Sequence, residues 1–400
     1  MLPKEWVAAS LLPGIGPATL FKLYQQGIRP LALLENQLPT GWRLRHETYA
    51  ALARKPHHWL ALAESLLVQA EVDQQLCLCL EDPRYPARLL QLPDPPPLLW
   101  VRGDHEILHW PQIAVVGSRR PSFQGQALAL EFGQKLTQRG LILTSGLALG
   151  VDSQAHRASI EEKMPGVAVL GSSLDQVYPR RNLGLAQSLL EQGGCLVSEW
   201  PPGTPPVAQN FPKRNRILSG LSLGVLVVEA AELSGSLITA RLALEQGREV
   251  FALPGSLQNP MSRGCLQLIR EGAELVYEVE HLLTALAPGI TAQRASLSTM
   301  TSLSDAALLK AAETDVAMSL RSDADTLRSD ADTKLPAQTC VAGLAPELNQ
   351  VLDKIEFSAV SLDELCERLQ WPFPRLQQAL MELELLGYVR AEAERVERVC

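Results

Sequence analysis

Between residues 112 and 277 the sequence alternates short apolar runs with longer segments of helical spacing. The apolar runs lack the strict alternation of apolar and polar residues that marks a strand with one exposed face. They therefore predict strands buried on both faces, in a parallel sheet with helices on either side. The predicted strands are residues 113–116, 141–144, 167–170, 195–197, 224–229, 249–253 and 274–277. The fold class that follows is α/β, with a Rossmann-like, doubly wound and mostly parallel sheet.

The first of these strands leads into a turn suited to an anion. It reads IAVVGSRR from Ile113 to Arg120, so Gly117 and Ser118 follow the strand directly and Arg119 adds a fork of hydrogen-bond donors. In open α/β sheets ligands bind at the carboxyl ends of strands, beside helix N-termini. The stretch lacks the G-x-G-x-x-G fingerprint of dinucleotide sites. We therefore predict an anion site that is not a dinucleotide site.

Further small-residue turns and a basic segment indicate a larger site. Ser145 and Gly146 follow the second strand, and Ser234, Gly235 and Ser236 precede a helix, as at the first turn. Residues 211–216 read FPKRNR and join an aromatic ring to cations, which suits a single-stranded nucleic acid. The candidate residues here are Phe211, Lys213, Arg214, Asn215 and Arg216, with Arg180 in a loop nearby. The alternative is a solvated helix start in which Arg216 forms a salt bridge and Phe211 lies in the core.

Composition restricts the possible functions. The net charge is −8, but residues 111–278 carry +1, and the segments on either side are acidic. The seven cysteines show no C-x-x-C pair, which predicts reduced structural thiols in a cytoplasmic protein. No secretion signal, membrane-spanning run, metal motif or catalytic motif is present, so we expect no membrane, metal, cofactor or catalytic residue. Asp152 and His156 are interpreted as a helix N-cap and a packed histidine.

The flanking segments predict three further parts of the chain. Residues 1–75 form a helical domain resembling sterile-alpha-motif or helix-hairpin-helix modules, in which the turn LPGIGP (12–17) either contacts a phosphate or merely joins two helices. Residues 76–288 form the sheet domain, entered by an extended stretch (76–111). Residues 289–340 form a linker containing a duplicated LRSDADT. Residues 341–400 form a winged-helix-like domain whose acidity favours contact with protein over DNA.

Long motifs in a fixed order identify a family. VVGSRRPS, TSGLALGVDSQAH, VLGSSLDQVYPRRN, FPKRNRILSGLS and VVEAAELSGSLITARLALEQGREVFALPG resemble the DNA-processing protein A family (DprA/Smf). Ser173 stands where this family usually has glycine, and the linker is unusually long. The resemblance implies a cytoplasmic, non-enzymatic homodimer of natural transformation that binds and protects incoming single-stranded DNA and helps load the RecA recombinase. It also implies that Gly117, Ser118, Arg119 and residues 213–216 form a phosphate pocket, with Phe211 as the base-stacking candidate.

A nucleotide N-glycoside hydrolase is the alternative function. Such enzymes also use glycine turns and a glutamate on a Rossmann-like sheet. They carry a P-G-G-x-G-T turn, whereas this chain reads ELSGSLITA from 232 to 240. The sequence therefore favours a DNA-binding protein over this enzyme.

Overall fold

The structure is a computed structural model that describes residues 2–53 and 56–300. In the C-terminal part it describes residues 351, 360–361, 369, 371, 376, 379–380, 383, 389–392 and 395–398. The chain divides into two compact units, Met1–Glu313 and Thr314–Cys400.

Within its described residues, the first unit contains nine strands and the helices around them. The strands are β1 (Gln75–Cys79), β2 (Leu98–Gly103), β3 (Gln112–Val116), β4 (Ile142–Ser145), β5 (Gly166–Leu170), β6 (Cys195–Ser198), β7 (Gly224–Val227), β8 (Glu249–Ala252) and β9 (Glu274–Leu275). The helices are α1 (Leu2–Ser10), α2 (Pro17–Gln25), α3 (Pro30–Leu34), α4 (His46–Leu52), α5 (Pro56–Val72), α6 (Ala87–Leu90), α7 (Phe123–Gln138), α8 (Val151–Glu161), α9 (Leu183–Glu191), α10 (Asn210–Leu221), α11 (Gly235–Glu245), α12 (Arg263–Arg270) and α13 (Val279–Met300).

The nine strands form one mostly parallel sheet, in the order β1-β2-β6-β5-β4-β3-β7-β8-β9. From β6 to β9 every neighbouring pair is parallel. The chain moves outward from β3 in one direction through β4 to β6, and in the other through β7 to β9. The sheet is therefore doubly wound as predicted, and its topological switch point lies between β3 and β7, where such folds bind ligands.

Both faces of the central strand are covered. Ile113 and Val115 pack into one apolar cluster, whereas Ala114 and Val116 pack into the other, and none of the four is more than 3% exposed. A strand whose side chains alternate between two cores has no polar face. This explains why the strand reads as a continuous apolar run in the sequence.

The sheet extends further than the sequence predicted. β1 and β2 pair antiparallel with each other, and β2 pairs antiparallel with β6. Through this edge the N-terminal helices join the sheet's core, because Trp6 of α1 is fully buried in the same cluster as Leu78 and Trp100. The Trp6 indole also donates to Glu81 Oε2 at 3.0 Å. The N-terminal helices thus pack on the sheet within one compact unit.

The last helix of this unit runs past residue 289, where we expected the linker to begin. Helix α13 includes Pro288 and continues to Met300. Gln293 fixes the continuation by donating to the carbonyl oxygens of His109 (2.7 Å) and Trp110 (3.0 Å). The rest of the expected linker, with the LRSDADT duplication, lies outside the described residues.

The C-terminal unit contains a three-stranded antiparallel sheet. Its strands are β10 (Val360–Ser361), β11 (Val389–Glu392) and β12 (Arg395–Arg398), in the order β10-β12-β11. The sequence of this part predicts helices at residues 347–355, 362–369 and 374–386 and a short strand at 388–390. The strand β11 overlaps the predicted one. Helical residues at Val351, Leu376 and Leu383 are fully buried, but the three predicted helices lie largely outside the described residues.

The cysteines described by the structure are free and buried: Cys77, Cys79, Cys195 and Cys265. Burial raises the pKa of the Cys79 thiol to about 11 and that of Cys265 to about 12, and the pKa values of Cys77 and Cys195 also rise. These four thiols are therefore protonated and unreactive at neutral pH. Among the residues that the structure describes, no group of three or more histidine, cysteine, aspartate or glutamate side chains could hold a metal ion. None of the described helices has the length and apolarity to cross a bilayer.

Candidate nucleic-acid interface

A cleft of about 790 Å³ lies beyond the carboxyl ends of β3 and β7, at the switch point of the sheet. Its walls come from the loop after β3, the start of α10 and the N-terminus of α11. The predicted site residues that line it are Gly117, Ser118, Arg119, Phe211, Arg214, Asn215, Ser234, Gly235 and Ser236. The fold thus brings together three separate segments of the predicted site.

The loop after β3 is held tightly, and it presents Arg119 to solvent. A side chain at residue 117 would collide with Val151, since an added Cβ would lie 2.6 Å from that side chain. The Ser118 amide donates to the Glu229 carbonyl at 2.6 Å, and the Ser118 hydroxyl accepts from the Arg120 amide at 3.0 Å. Ser118 therefore shapes the turn. Arg119 and Arg120 are both exposed, and Arg119 is the one that lines the cleft.

Glu229 fastens this loop to its neighbours, a role that sequence reasoning did not assign. Its side chain is buried beyond the end of β7, with one oxygen accepting from the Ser122 amide at 2.8 Å and the other from Asn259 Nδ2 at 3.0 Å. Ser122 is the N-cap of α7 and accepts from the Gly125 amide at 3.0 Å. One carboxylate thus fixes both the start of α7 and the loop after β8.

The N-terminus of α11 faces the cleft and supplies positive potential. Ser234 caps the helix by accepting from the Ser236 amide, and Gly235 begins it in an exposed position. Asn215 of α10 donates to the Gly235 carbonyl at 3.5 Å, which ties the two helix starts together. Amides at a helix N-terminus favour an anion. The turn at 234–236 therefore lines the cleft with groups that favour an anion.

Two aromatic rings stand at the rim. Phe211 is half-buried, and its ring lies 5.7 Å from that of Tyr178, which is 49% exposed. The Arg119 guanidinium carbon lies 6.0 Å from the Phe211 ring centroid. Phe211 therefore does not lie in the core, contrary to the alternative interpretation of this segment. Sequence reasoning missed Tyr178, although the adjacent Pro179 and Arg180 placed it in the same loop.

Arg214 belongs to a buried cluster, which corrects its expected role as a free phosphate ligand. It is 5% exposed and donates to the Gly146 carbonyl at 2.9 Å and to the Val169 carbonyl. Asp152 beside it accepts from the amides of Gly146 (3.0 Å) and Ala148 (3.4 Å), so it fixes the loop after β4 rather than capping α8. Burial raises the pKa of Asp152, opposed by Arg214, and burial lowers the pKa of Arg214 to about 10.

Four other predicted residues also differ from expectation. Ser145 and Gly146 are buried, the hydroxyl of Ser145 donating to the Val115 carbonyl at 2.7 Å and the amide of Gly146 to Asp152. Arg216 is 7% exposed and paired with Glu199 at 2.6 Å and Asp94 at 3.0 Å, as the salt-bridge alternative predicted. Arg180 is exposed but does not line the cleft.

Lys213 occupies a different position from the other predicted cations. It is exposed on α10 and borders a neighbouring groove rather than the cleft itself. The described cleft therefore has Arg119 as its exposed cation and Arg214 as a buried support beneath it.

The family described as DNA recombination-mediator protein A matches residues 76–287, and a DprA winged helix domain matches residues 334–394. This chain belongs to the DprA family. It is 44% identical to Protein Smf of Escherichia coli strain K12 over 77% of this chain and 73% of that protein. It is 32% identical to Protein Smf of Synechocystis over 97% and 96%. The crystal structure of Streptococcus pneumoniae DprA covers 68% of this chain and 98% of its own, with a TM-score of 0.53 and 35% identity.

The match to the DprA winged helix domain identifies the C-terminal unit as a winged-helix domain. The DprA family match begins at residue 76, within β1, and so includes the antiparallel edge of the sheet together with the cleft. The site geometry described above therefore lies in the part of the chain that defines the family.

Proposed function

We propose that the cleft binds the backbone of a single DNA strand, with Arg119 contacting a phosphate. The observation that carries this proposal is an exposed arginine beside the Phe211 ring, in a cleft at the switch point of a parallel sheet that a helix N-terminus also lines. Cations follow the backbone of a single strand, and aromatic rings stack its bases without reading sequence. Phe211 and Tyr178 are the rings available for stacking.

The framework of the cleft supports binding to a preformed surface. Glu229 holds the loop after β3, and Arg214 with Asp152 holds the loop after β4. A site whose loops are already fixed spends less of its binding free energy on ordering. We propose that Gly117, Ser118, Asn215 and residues 234–236 act in the same site by shaping it and by directing amides toward the phosphate.

We further propose that the protein protects single-stranded DNA and helps load the RecA recombinase onto it in natural transformation. It does so as a cytoplasmic homodimer formed through the sheet domain. The description of the family as recombination mediators supports this role. The acidity of residues 341–400 favours contact with protein over DNA in that domain, because like charges repel the phosphate backbone.

Binding rather than catalysis is the proposed activity. Both oxygens of Glu229 are engaged in hydrogen bonds, and His156 is fully buried, so neither is poised as an acid or base toward a ligand in the cleft. Nucleoside monophosphates incubated with the protein are expected to yield no free base. Release of base would favour the hydrolase alternative.

The test is a salt titration of oligonucleotide affinity with wild type and Arg119→Ala. Removing one phosphate contact lowers the slope of log K against log salt by about 0.7 for a single strand. If the two lines meet near 1 M salt, affinity falls by about 5-fold at about 0.1 M. Arg270→Ala is the matched control, since Arg270 is exposed at the end of α12 and does not line the cleft. An unchanged slope in Arg119→Ala would contradict the assignment.

A further inference from the structure

A second basic depression, of about 500 Å³, lies on the N-terminal helices. It is formed by the Gly-Pro turn between α1 and α2 and by residues 42–45, ahead of α4. In the sequence Lys22 was the only cation close to this turn. The fold adds Arg43 and Arg45, so three exposed cations surround the depression. These side chains, rather than the amides at the start of α2, supply the charge that a phosphate requires.

A groove of about 710 Å³ connects this depression with the cleft. The groove shares Pro212 and Ile238 with the cleft, and it shares residues 15–18 with the basic depression. The groove therefore adjoins both the cleft and the basic depression within the first compact unit. A strand that left the cleft past Pro212 would lie along the groove toward the N-terminal helices.

The residues that line the groove suit the bases of a single DNA strand. Its lining is mostly apolar and includes Leu11 and the indole of Trp200. The two carboxylates in it, Asp94 and Glu199, are both paired with Arg216. Lys213 on its border is exposed and lies on the side of the groove nearest the cleft. Apolar and aromatic walls with a cation at the edge match a single strand, whose bases stack while its backbone stays hydrated.

The cations at the far end are held in place but remain available. Lys22 Nζ lies 4.6 Å from the ring centroid of Trp42, and the Trp42 indole donates to Gln26 at 3.0 Å. Arg45 lies 3.6 Å from Glu47, but both side chains are more than half exposed, so this pairing is weak. Arg43 takes part in no ion pair with any residue that the structure describes.

We propose that Lys22, Arg43 and Arg45 form a second backbone contact for the DNA strand held in the cleft, which the groove joins to the first. This inference rests on the proposed function, because it extends the same strand. It enlarges the binding site from the sheet domain onto the N-terminal helices. It predicts that affinity depends on length beyond what the cleft alone accommodates.

The experiment compares oligothymidylates of about 6 and about 24 nucleotides, lengths that bracket the usual site sizes of single-strand-binding domains. For the long oligomer, Arg43→Ala/Arg45→Ala is expected to lower the salt slope by up to about 1.4 and affinity by up to about 25-fold at about 0.1 M salt. For the short oligomer the same variant is expected to match wild type. Arg43→Lys/Arg45→Lys, which keeps both charges, is expected to restore most of the slope.

Arg157→Ala/Arg270→Ala removes two exposed charges outside the three concave surfaces and serves as the control. Wild-type affinity of Arg43→Ala/Arg45→Ala for the long oligomer would overturn the second contact, as would equal losses for both lengths. Failure of the cleft assignment has a different result: Arg119→Ala would then leave the short oligomer's affinity unchanged. The two failures are thus distinguishable in one set of titrations.

Discussion

Replacing Arg214 by methionine is expected to destabilise the fold, even though its sequence context marks it as a DNA ligand. The guanidinium is 5% exposed and lies against Gly146, where an added Cβ would be 2.5 Å from its nitrogens. It donates to the carbonyl oxygens of Gly146 and Val169 and stands beside the buried Asp152. Methionine fills a similar length but offers no donor and no charge.

The loss of stability comes from the groups that lose Arg214 as a partner, namely the Asp152 carboxylate and two carbonyl oxygens. Removing one partner of a buried charge pair costs about 3–5 kcal/mol, because the remaining charge is left without compensation. The two carbonyl oxygens also lose their side-chain donor, at about 1–3 kcal/mol for each buried group that finds no replacement. The two costs overlap and do not add in full. Against the roughly 5–15 kcal/mol that stabilises a domain, we expect a loss of at least about 3 kcal/mol.

The loss of stability in Arg214→Met is expected to depend on pH. Burial already raises the pKa of Asp152 above its ordinary 3.8, and losing Arg214 raises it further. An acid whose pKa is higher in the folded state adds stability below its unfolded pKa, and this stability is lost as the pH rises through the folded pKa. The gap in unfolding free energy between wild type and Arg214→Met therefore widens from acidic toward neutral pH. Urea unfolding at about pH 4.5 and about pH 7.5 measures it.

A double variant separates charge from packing. Asp152→Asn/Arg214→Met removes the uncompensated carboxylate, so it is expected to be more stable at neutral pH than the sum of the two single losses predicts. Strict additivity would refute the charge argument. So would an Arg214→Met protein that unfolds at the wild-type urea concentration at both pH values while binding DNA less tightly, since Arg214 would then act as a direct ligand.

Two further predictions concern buried groups near the cleft. Burial lowers the pKa of His156 from 6.5 to about 3, so the imidazole ring is neutral in the folded protein. The free energy of unfolding is therefore expected to fall as the pH drops from 6.5 toward 3, by up to about 1.4 kcal/mol per pH unit. His156→Phe should flatten this pH dependence in acid titrations of the unfolding free energy, and an unchanged dependence would assign it to other groups. Glu229→Ala removes the hydrogen-bond acceptor of the Ser122 amide and of Asn259. We expect it to lower the free energy of unfolding in urea by about 1–3 kcal/mol and to weaken oligonucleotide binding. Wild-type values in both assays would show that the loop after β3 keeps its conformation without Glu229.

The central sheet could be predicted from the sequence because its strands are buried on both faces. β3, β5 and β7 read as uninterrupted apolar runs, and each begins within one residue of its expected start. β1 and β2 were not predicted as strands, because their antiparallel pairing at the sheet edge depends on partners distant in sequence. The linker was expected to begin at residue 289 because the strand and helix pattern of the sequence stops there, yet α13 continues to Met300.

The cleft that brings the candidate residues together could be predicted from the sequence, but the burial of each cation could not. Small residues at strand ends marked the cleft because parallel strands end at one edge of a sheet. Arg214 and Arg216 resemble Arg119 in the sequence, yet α10 is buried continuously from Arg214 to Leu221. A helix without a solvent face shows no amphipathic spacing that would tell a buried arginine from an exposed one. The tertiary partners decide between them: Arg214 packs against β5 and the loop after β4, and Arg216 pairs with Asp94 and Glu199.

The charged side chains of the site fall into a buried pair and an exposed pair, and the two pairs are expected to affect binding and stability differently. The side chains that hold the cleft, Arg214 and Glu229, are buried and satisfied by backbone groups. Arg119 and Lys213, the cations that we propose contact the DNA strand, are exposed. Because exposed charges contribute much less to stability than buried ones, we expect substitutions of Arg119 and Lys213 to alter affinity and to leave the free energy of unfolding nearly unchanged. Substitutions of Arg214 and Glu229 are expected to alter both.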